Sequence, residues 1–159
     1  MHSTRLVALT IATLLFFSAS LTGTASAADQ PTPGEQALKY RKSLYQVIVW
    51  NFGPMSAMAQ GKIPFDQAEF ATRASRVAAL TPLLPEAYPP ESRGVAGSDL
   101  KDKMWDNRAD FNSKLQDLIN ESAKLASVAQ AGDEADSKAA FFDTANACKN
   151  CHDEYRSDD

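Results

Sequence analysis

Residues 133–156 read DEADSKAAFFDTANACKNCHDEYR. Phe141, Ala145, Cys148, Cys151/His152 and Tyr155 recur at three- and four-residue steps, the period of an amphipathic helix that opens between Asp133 and Ser137. Inside that stripe lies Cys148-Lys149-Asn150-Cys151-His152, the spacing at which two thiols add across the vinyl groups of a c-type haem and the adjoining histidine falls under the iron. These are the only two cysteines of the chain, and the one other histidine is His2. One helix therefore carries both a core face and a cofactor signature.

Three further helical stretches precede it. From Gly34, the residues Ala37, Tyr40, Leu44, Val47 or Ile48, Asn51, Met55 and Met58 follow the same period. Gly53-Pro54 predicts an interruption with a kink, because proline removes a backbone donor and crowds the preceding turn. Gly61-Lys62-Ile63-Pro64 ends this helix. A second opens between Pro64 and Asp66 and runs through Phe70, Ala74, Val77 and Leu80. Residues 81–98 hold Pro82, Pro85, Pro89, Pro90, Gly94 and Gly97 and predict a long connection. A third helix follows Trp105, with Asp106 as N-cap, the face Phe111, Leu115, Leu118, Ser122, Leu125 and Ala129, and Gly132 just past its end. No alternating strand pattern of useful length is present. The expected fold is all-α: an antiparallel four-helix bundle with one long crossover and a covalent haem near the C-terminus.

The N-terminal residues read differently. Arg5, the apolar run Leu6–Phe17 and the small-residue site Ala25-Ser26-Ala27 make residues 1–27 an expected secretory signal peptide. The run of 12 residues falls short of the ~20 that a spanning helix needs. Cleavage leaves residues 28–159 as one domain, in the ordinary size range. Loss of Arg5 takes the net charge from −4 to −5, which argues against nucleic acid and anionic membranes as partners.

Export also permits disulfides, so a short Cys148–Cys151 bridge competes with the haem reading, but it leaves His152 without a purpose. A disulfide oxidoreductase places its reactive pair where a strand meets a helix N-terminus, and no strand precedes Cys148. Structural zinc wants four ligands, and the mature chain offers two cysteines and one histidine. With one histidine, the second axial position of the iron falls to methionine, lysine, tyrosine, water or no ligand. That choice separates electron transfer from small-ligand binding. Met55 and Met58 are the candidate methionines, although methionines on a helix stripe are usually core; Trp50, Phe52 and Trp105 read as packing or haem-edge residues. No paired carboxylates or second histidine suggest general acid–base catalysis, so no enzymatic activity is expected.

The Cys148–Arg156 segment, Cys-x-x-Cys-His-x-x-Tyr-Arg, resembles the cytochrome c′ family. So do Tyr40-Arg41-Lys42-Ser43 with Asn51-Phe52-Gly53-Pro54-Met55, Gly61-x-x-Pro64-Phe65-Asp66, Leu84-Pro85, Trp105-Asp106 and Ala131-Gly132-Asp133. The resemblance covers essentially the whole mature chain. It implies a periplasmic homodimer with one haem c per chain, held by thioethers to Cys148 and Cys151, and five-coordinate high-spin iron on His152. It implies that Arg41 meets a haem propionate, that Arg156 lies on the proximal side and that Tyr45 covers the distal face as a lid. The implied ligands are small diatomic gases, nitric oxide and carbon monoxide, and the implied role is nitric oxide binding or buffering with electron-transfer capability. The alternative is a soluble electron carrier with a sixth protein ligand, serving a periplasmic redox partner. Glu86 departs from the tryptophan common in the family and implies a more open or polar haem edge.

Overall fold

A computed structural model describes residues 30–157; the expected signal peptide lies outside them. Thr32 starts the first helix with a capping box. Its Oγ1 accepts from the Glu35 N–H at 3.2 Å, and the Glu35 carboxylate accepts from the Thr32 N–H at 2.7 Å, so two otherwise orphaned donors are satisfied. Helix α1 spans Pro33–Ala59, and Gly61, at φ 68°, turns the chain away. Helix α2 spans Gln67–Leu80, N-capped by the Asp66 carboxylate. A one-turn helix α3, Lys103–Asp106, precedes α4, Arg108–Ala131, and α5 spans Glu134–Tyr155. Gly132 takes φ 92°, a left-handed value that favours glycine, and Asp133 then caps α5 through its bond from the Asp136 N–H at 2.8 Å. The four long helices form the expected antiparallel bundle; among the described residues the only β pairing is an isolated bridge, Leu100 to Arg156.

The core follows the sequence stripes closely in α4, where Phe111, Leu115, Leu118, Ser122, Leu125 and Ala129 are all buried. In α1 the buried face is instead Leu38, Arg41, Leu44, Ile48, Asn51, Met55 and Met58. Ala37 and Tyr40 are displaced from it because the face turns toward Arg41. Phe52 of α1 stacks on Phe141 of α5 at 4.4 Å between ring centres, and Phe70 of α2 meets the same ring edge-on at 6.2 Å. This aromatic cluster ties three helices together.

Two expectations need correction. Gly53-Pro54 does not interrupt α1, which runs on to Ala59. Proline leaves the Trp50 carbonyl without its helical donor, and Arg73 of α2 fills the place with an N–H bond to that oxygen at 3.1 Å. Asp106 is not the N-cap of α4: Trp105 and Asp106 are absorbed into α3, and Asn107 stands at the cap with its side chain turned back to the Lys103 carbonyl at 2.9 Å.

The connection between α2 and α4 is built of short 3₁₀ turns at Thr81–Leu83, Pro85–Ala87 and Pro90–Ser92. It is anchored by the fully buried Thr81, whose hydroxyl pairs with Ser122 at 2.7 Å, and by the buried Leu84, Ala87 and Tyr88. Its end is joined to the end of α5. The Lys101 N–H donates to the Tyr155 carbonyl and the Ser157 N–H to the Asp99 carbonyl, both at 2.8 Å. The Tyr155 hydroxyl, in turn, donates to Asp110 at 2.5 Å.

A Cβ at Gly34 would collide with the Glu91 carbonyl of the connection, whereas Gly53 faces open space. Gly34→Ala should therefore lower stability by about 1–3 kcal/mol, the usual penalty of overpacking. Gly53→Ala should raise stability by about 0.5–1 kcal/mol by removing helix-interior glycine; urea unfolding of both variants checks the opposite signs. Burial and the Asp110 carboxylate push the Tyr155 phenol up to about 12. The folded chain then holds this proton more tightly than the unfolded chain does. Its stabilisation is complete below about pH 10 and is lost as the pH rises toward 12. Tyr155→Phe should lose less stability than the parent across that window in urea unfolding at stepped pH.

Candidate haem site

A cavity of about 930 Å³ opens between α1, the connection and the C-terminal end of α5, at the upper end of the ~300–1,000 Å³ usual for ligand pockets. Helix α1 presents Leu38, Arg41, Tyr45 and Val49 to it, a row at three- and four-residue steps on one helix face. Helix α5 presents Cys151, His152 and Tyr155, α4 contributes Phe111, and the connection contributes Tyr88, Ser98, Asp99 and Leu100. Cys148, one turn before Cys151, is half-buried against the core and is not a lining residue.

Cys148 and Cys151 do not pair in a disulfide. Burial pushes each up to about 11, so both are protonated near neutral pH. This is opposite to the low-pKa thiol that a dithiol oxidoreductase requires, and Cys148 lies well inside α5, far from its N-terminus. Among the described residues, no group of three or more His, Cys, Asp and Glu side chains is placed to hold a metal ion. Desolvation, and then the nearby Arg156 charge, lowers the pKa of His152. The ring therefore favours its neutral form, the form with a lone pair free for a metal. His152 keeps an open surface and is one of the side chains lining the cavity.

Arg41 is 5 % exposed, yet it has no carboxylate partner among the ion pairs of the described residues. Its Nη2 donates to the Ser98 hydroxyl at 2.9 Å and its Nη1 to the Ala87 carbonyl at 3.4 Å, while the guanidinium lies 4.8 Å over the Tyr88 ring. Burial lowers its pKa, against which the nearby Asp99 charge acts in part, and a guanidinium stays protonated. A buried cation whose hydrogen-bond partners are all neutral is expensive, and an anion in the cavity would relieve it. Apolar walls, a thiol beside a neutral imidazole and a buried guanidinium without a hydrogen-bonded carboxylate fit the haem that the sequence motif implies, with its vinyl groups, iron and propionates.

Tyr45 is half-buried, and its hydroxyl lies 2.9 Å from that of Tyr88. Arg156 is exposed at the rim, 3.9 Å from Asp99, and its N–H closes α5 on the His152 carbonyl at 2.9 Å. Met55 and Met58 are fully packed in the core and do not line the cavity; the Met58 sulfur accepts from the Asp66 N–H at 3.4 Å. Trp50 is 74 % exposed at the cavity rim, Phe52 belongs to the aromatic cluster, and Trp105 lies under the Arg108 guanidinium. Glu86 points away from the cavity lining and accepts from the Tyr40 hydroxyl at 2.6 Å. Sequence reading assigned neither the α1 lining residues Leu38, Lys42, Gln46 and Val49 nor Arg73 of α2 to the site, and it missed four more, Tyr88, Ser98, Asp99 and Leu100. These last four lie in the irregular connection, where no helical period marks which side chains turn inward.

Over residues 36–156 the chain matches the family described as Cytochrome C′. It is 36% identical over 124 residues to cytochrome c′ of Rubrivivax gelatinosus, covering 78% of this chain and 95% of the relative. The solved cytochrome c prime from Shewanella frigidimarina superposes with a TM-score of 0.76 at 38% identity, covering 81% of this chain and all of that one. A ferrous variant of the Alcaligenes xylosoxidans protein with bound nitric oxide gives 0.74 at 31% identity, over 82% of this chain and all of that one. The chain belongs to the cytochrome c′ family, whose members are haem-carrying helical bundles and not enzymes.

Proposed function

We propose that this protein is a gas-binding cytochrome c′ whose iron keeps one axial position open. Cys148 and Cys151 would hold the haem by thioethers, His152 would supply the axial nitrogen, and Arg41 would neutralise a propionate from inside the protein. Arg156 would place its charge on the proximal side, one turn beyond His152. When bound, the haem supplies an iron whose remaining position takes nitric oxide or carbon monoxide.

The observation that carries this reading is the cavity lining. It includes one imidazole and no methionine, and the phenol of Tyr45 is already bonded to Tyr88. An electron carrier with a methionine sixth ligand would need Met55, Met58 or Met104 to leave the core. Tyr45 instead acts as a bulky cover that slows ligand access and favours small ligands. Nitric oxide bound to the ferrous Alcaligenes relative supports the choice of gas, and nitric oxide buffering is the proposed role.

The proposed site of action is the periplasm, after removal of residues 1–27, and the proposed assembly is a homodimer. Helix α1 exposes Tyr40 and Val47 outside the cavity lining, apolar surface that a second copy would cover. Among the described residues no helix is long and apolar enough to cross a membrane. Intact mass and sedimentation of the exported protein should give two chains, each starting at Ala28; a monomer at micromolar concentration refutes the dimer.

The reduced holoprotein should show a high-spin optical spectrum that converts on adding carbon monoxide. A low-spin reduced spectrum indifferent to the gas would transfer the protein to the electron carriers. Tyr45→Ala should speed carbon monoxide association by about tenfold or more, the factor that ~1.4 kcal/mol of barrier represents. An unchanged rate would remove Tyr45 from ligand control.

A further inference from the structure

The Tyr45 hydroxyl has one hydrogen-bond partner among the described residues, the hydroxyl of Tyr88 at 2.9 Å, brought to it across 43 positions of sequence. Tyr88 is itself held on several sides. The edge of Phe111 meets its ring at 4.8 Å and 73°, and Arg41 lies over its face at 4.8 Å. Arg108 donates to its carbonyl at 2.9 Å. Just before it, the Glu86 carboxylate accepts from Tyr40, which fastens the connection to α1 little more than one turn ahead of Tyr45. Tyr45, by contrast, packs only partly against the core from α1, and this is the single hydrogen bond that its hydroxyl makes among the described residues.

We propose that Tyr88 is a positioning residue that latches Tyr45 across the cavity and thereby sets the rate at which a diatomic ligand reaches the distal side. Swinging Tyr45 aside breaks the bond and leaves two hydroxyls unpaired in an apolar wall, which opposes the movement. Burial raises the pKa of both phenols, so the latch is a neutral O–H···O bond throughout the physiological range. The ring that latches Tyr45 also carries the Arg41 cation, so the distal cover and the anion-binding end of the cavity share one support. The latch also assigns the Tyr45 hydroxyl: it is committed to Tyr88 rather than free to bond a ligand. The inference deepens the gas-binding reading and rests on it.

The test compares the holoprotein with Tyr88→Phe, Tyr45→Phe and the double variant. One readout is carbon monoxide association with the ferrous protein. The other is O-acetylation of Tyr45 by N-acetylimidazole, followed by peptide mass, which does not depend on the iron. Tyr88→Phe should accelerate both by about fivefold, the factor that one neutral hydrogen bond is worth. In the Tyr45→Phe background it should add nothing to the association rate. The latch is overturned if Tyr88→Phe leaves both rates at the parent value. It is equally overturned if Tyr88→Phe accelerates association as much without the Tyr45 hydroxyl as with it, since the ring's bulk would then be responsible. If even the parent fails to take up carbon monoxide, the gas-binding reading falls. Acetylation alone then decides the latch: faster modification in Tyr88→Phe upholds it, and an unchanged rate ends it.

Discussion

A guanidinium buried without a carboxylate organises the cavity end of this bundle. Arg41 reaches from α1 into the connection, bonds the Ala87 carbonyl and the Ser98 hydroxyl, and stacks on Tyr88. An irregular segment of 3₁₀ turns has few hydrogen bonds of its own to hold it in place, and the charged fork provides external ones at two separate points. Charge-assisted bonds are roughly twice as strong as neutral ones. Removing the side chain would loosen the cavity wall as well as its charge. The same residue is therefore structural in the connection and chemical in the cavity, and the two roles do not conflict because its partners are all neutral.

The two ends of the bundle solve the packing problem in different ways. Around Phe52, Phe70 and Phe141 the helices close on a continuous aromatic core. Toward the end of α5 they stay apart, and the wall is completed by the connection and the Leu100–Arg156 bridge. Protein interiors are otherwise close-packed, so a cavity of this size at the Cys-x-x-Cys-His helix is a built space. The sequence pattern already contained this division: the α5 stripe begins with Phe141 and ends with the cysteines, histidine and Tyr155.

In α4, where the repeat is most regular, the buried face was readable. The α4 face matched residue for residue, and Gly132 and Asp133 marked the α4–α5 turn through glycine's tolerance of positive φ and the acid's capping geometry. Where tertiary contacts override local rules, reading failed. Nothing near Pro54 in the sequence indicates that Arg73, from another helix, would satisfy the Trp50 carbonyl and let α1 continue. Asp106 looked like a cap because α3, a single turn, leaves no periodic signal. Tyr88 lies among prolines with no repeat around it, so its role became visible only when the chain folded Phe111, Arg41 and Tyr45 around it. Cys148, Cys151 and His152, by contrast, form their motif by spacing alone, and the fold sets Cys151 and His152 on the cavity wall.

Charge gives the last step. The chain is acidic overall, at −4, but the cavity is lined by Arg41, Lys42, Arg73 and Arg156 against a single carboxylate, Asp99. The local sign thus opposes the global one. Beyond about 8 Å of water at physiological ionic strength the exposed charges are screened, so the cationic lining acts on what is already in the cavity rather than on what approaches. A dianionic tetrapyrrole is the kind of occupant such a lining suits. A neutral diatomic responds to neither field. For a ligand of that kind, selection has to come from sterics and hydrogen bonding at Tyr45, which is why the phenol pair, rather than the cations, is the natural point of control in the proposed site.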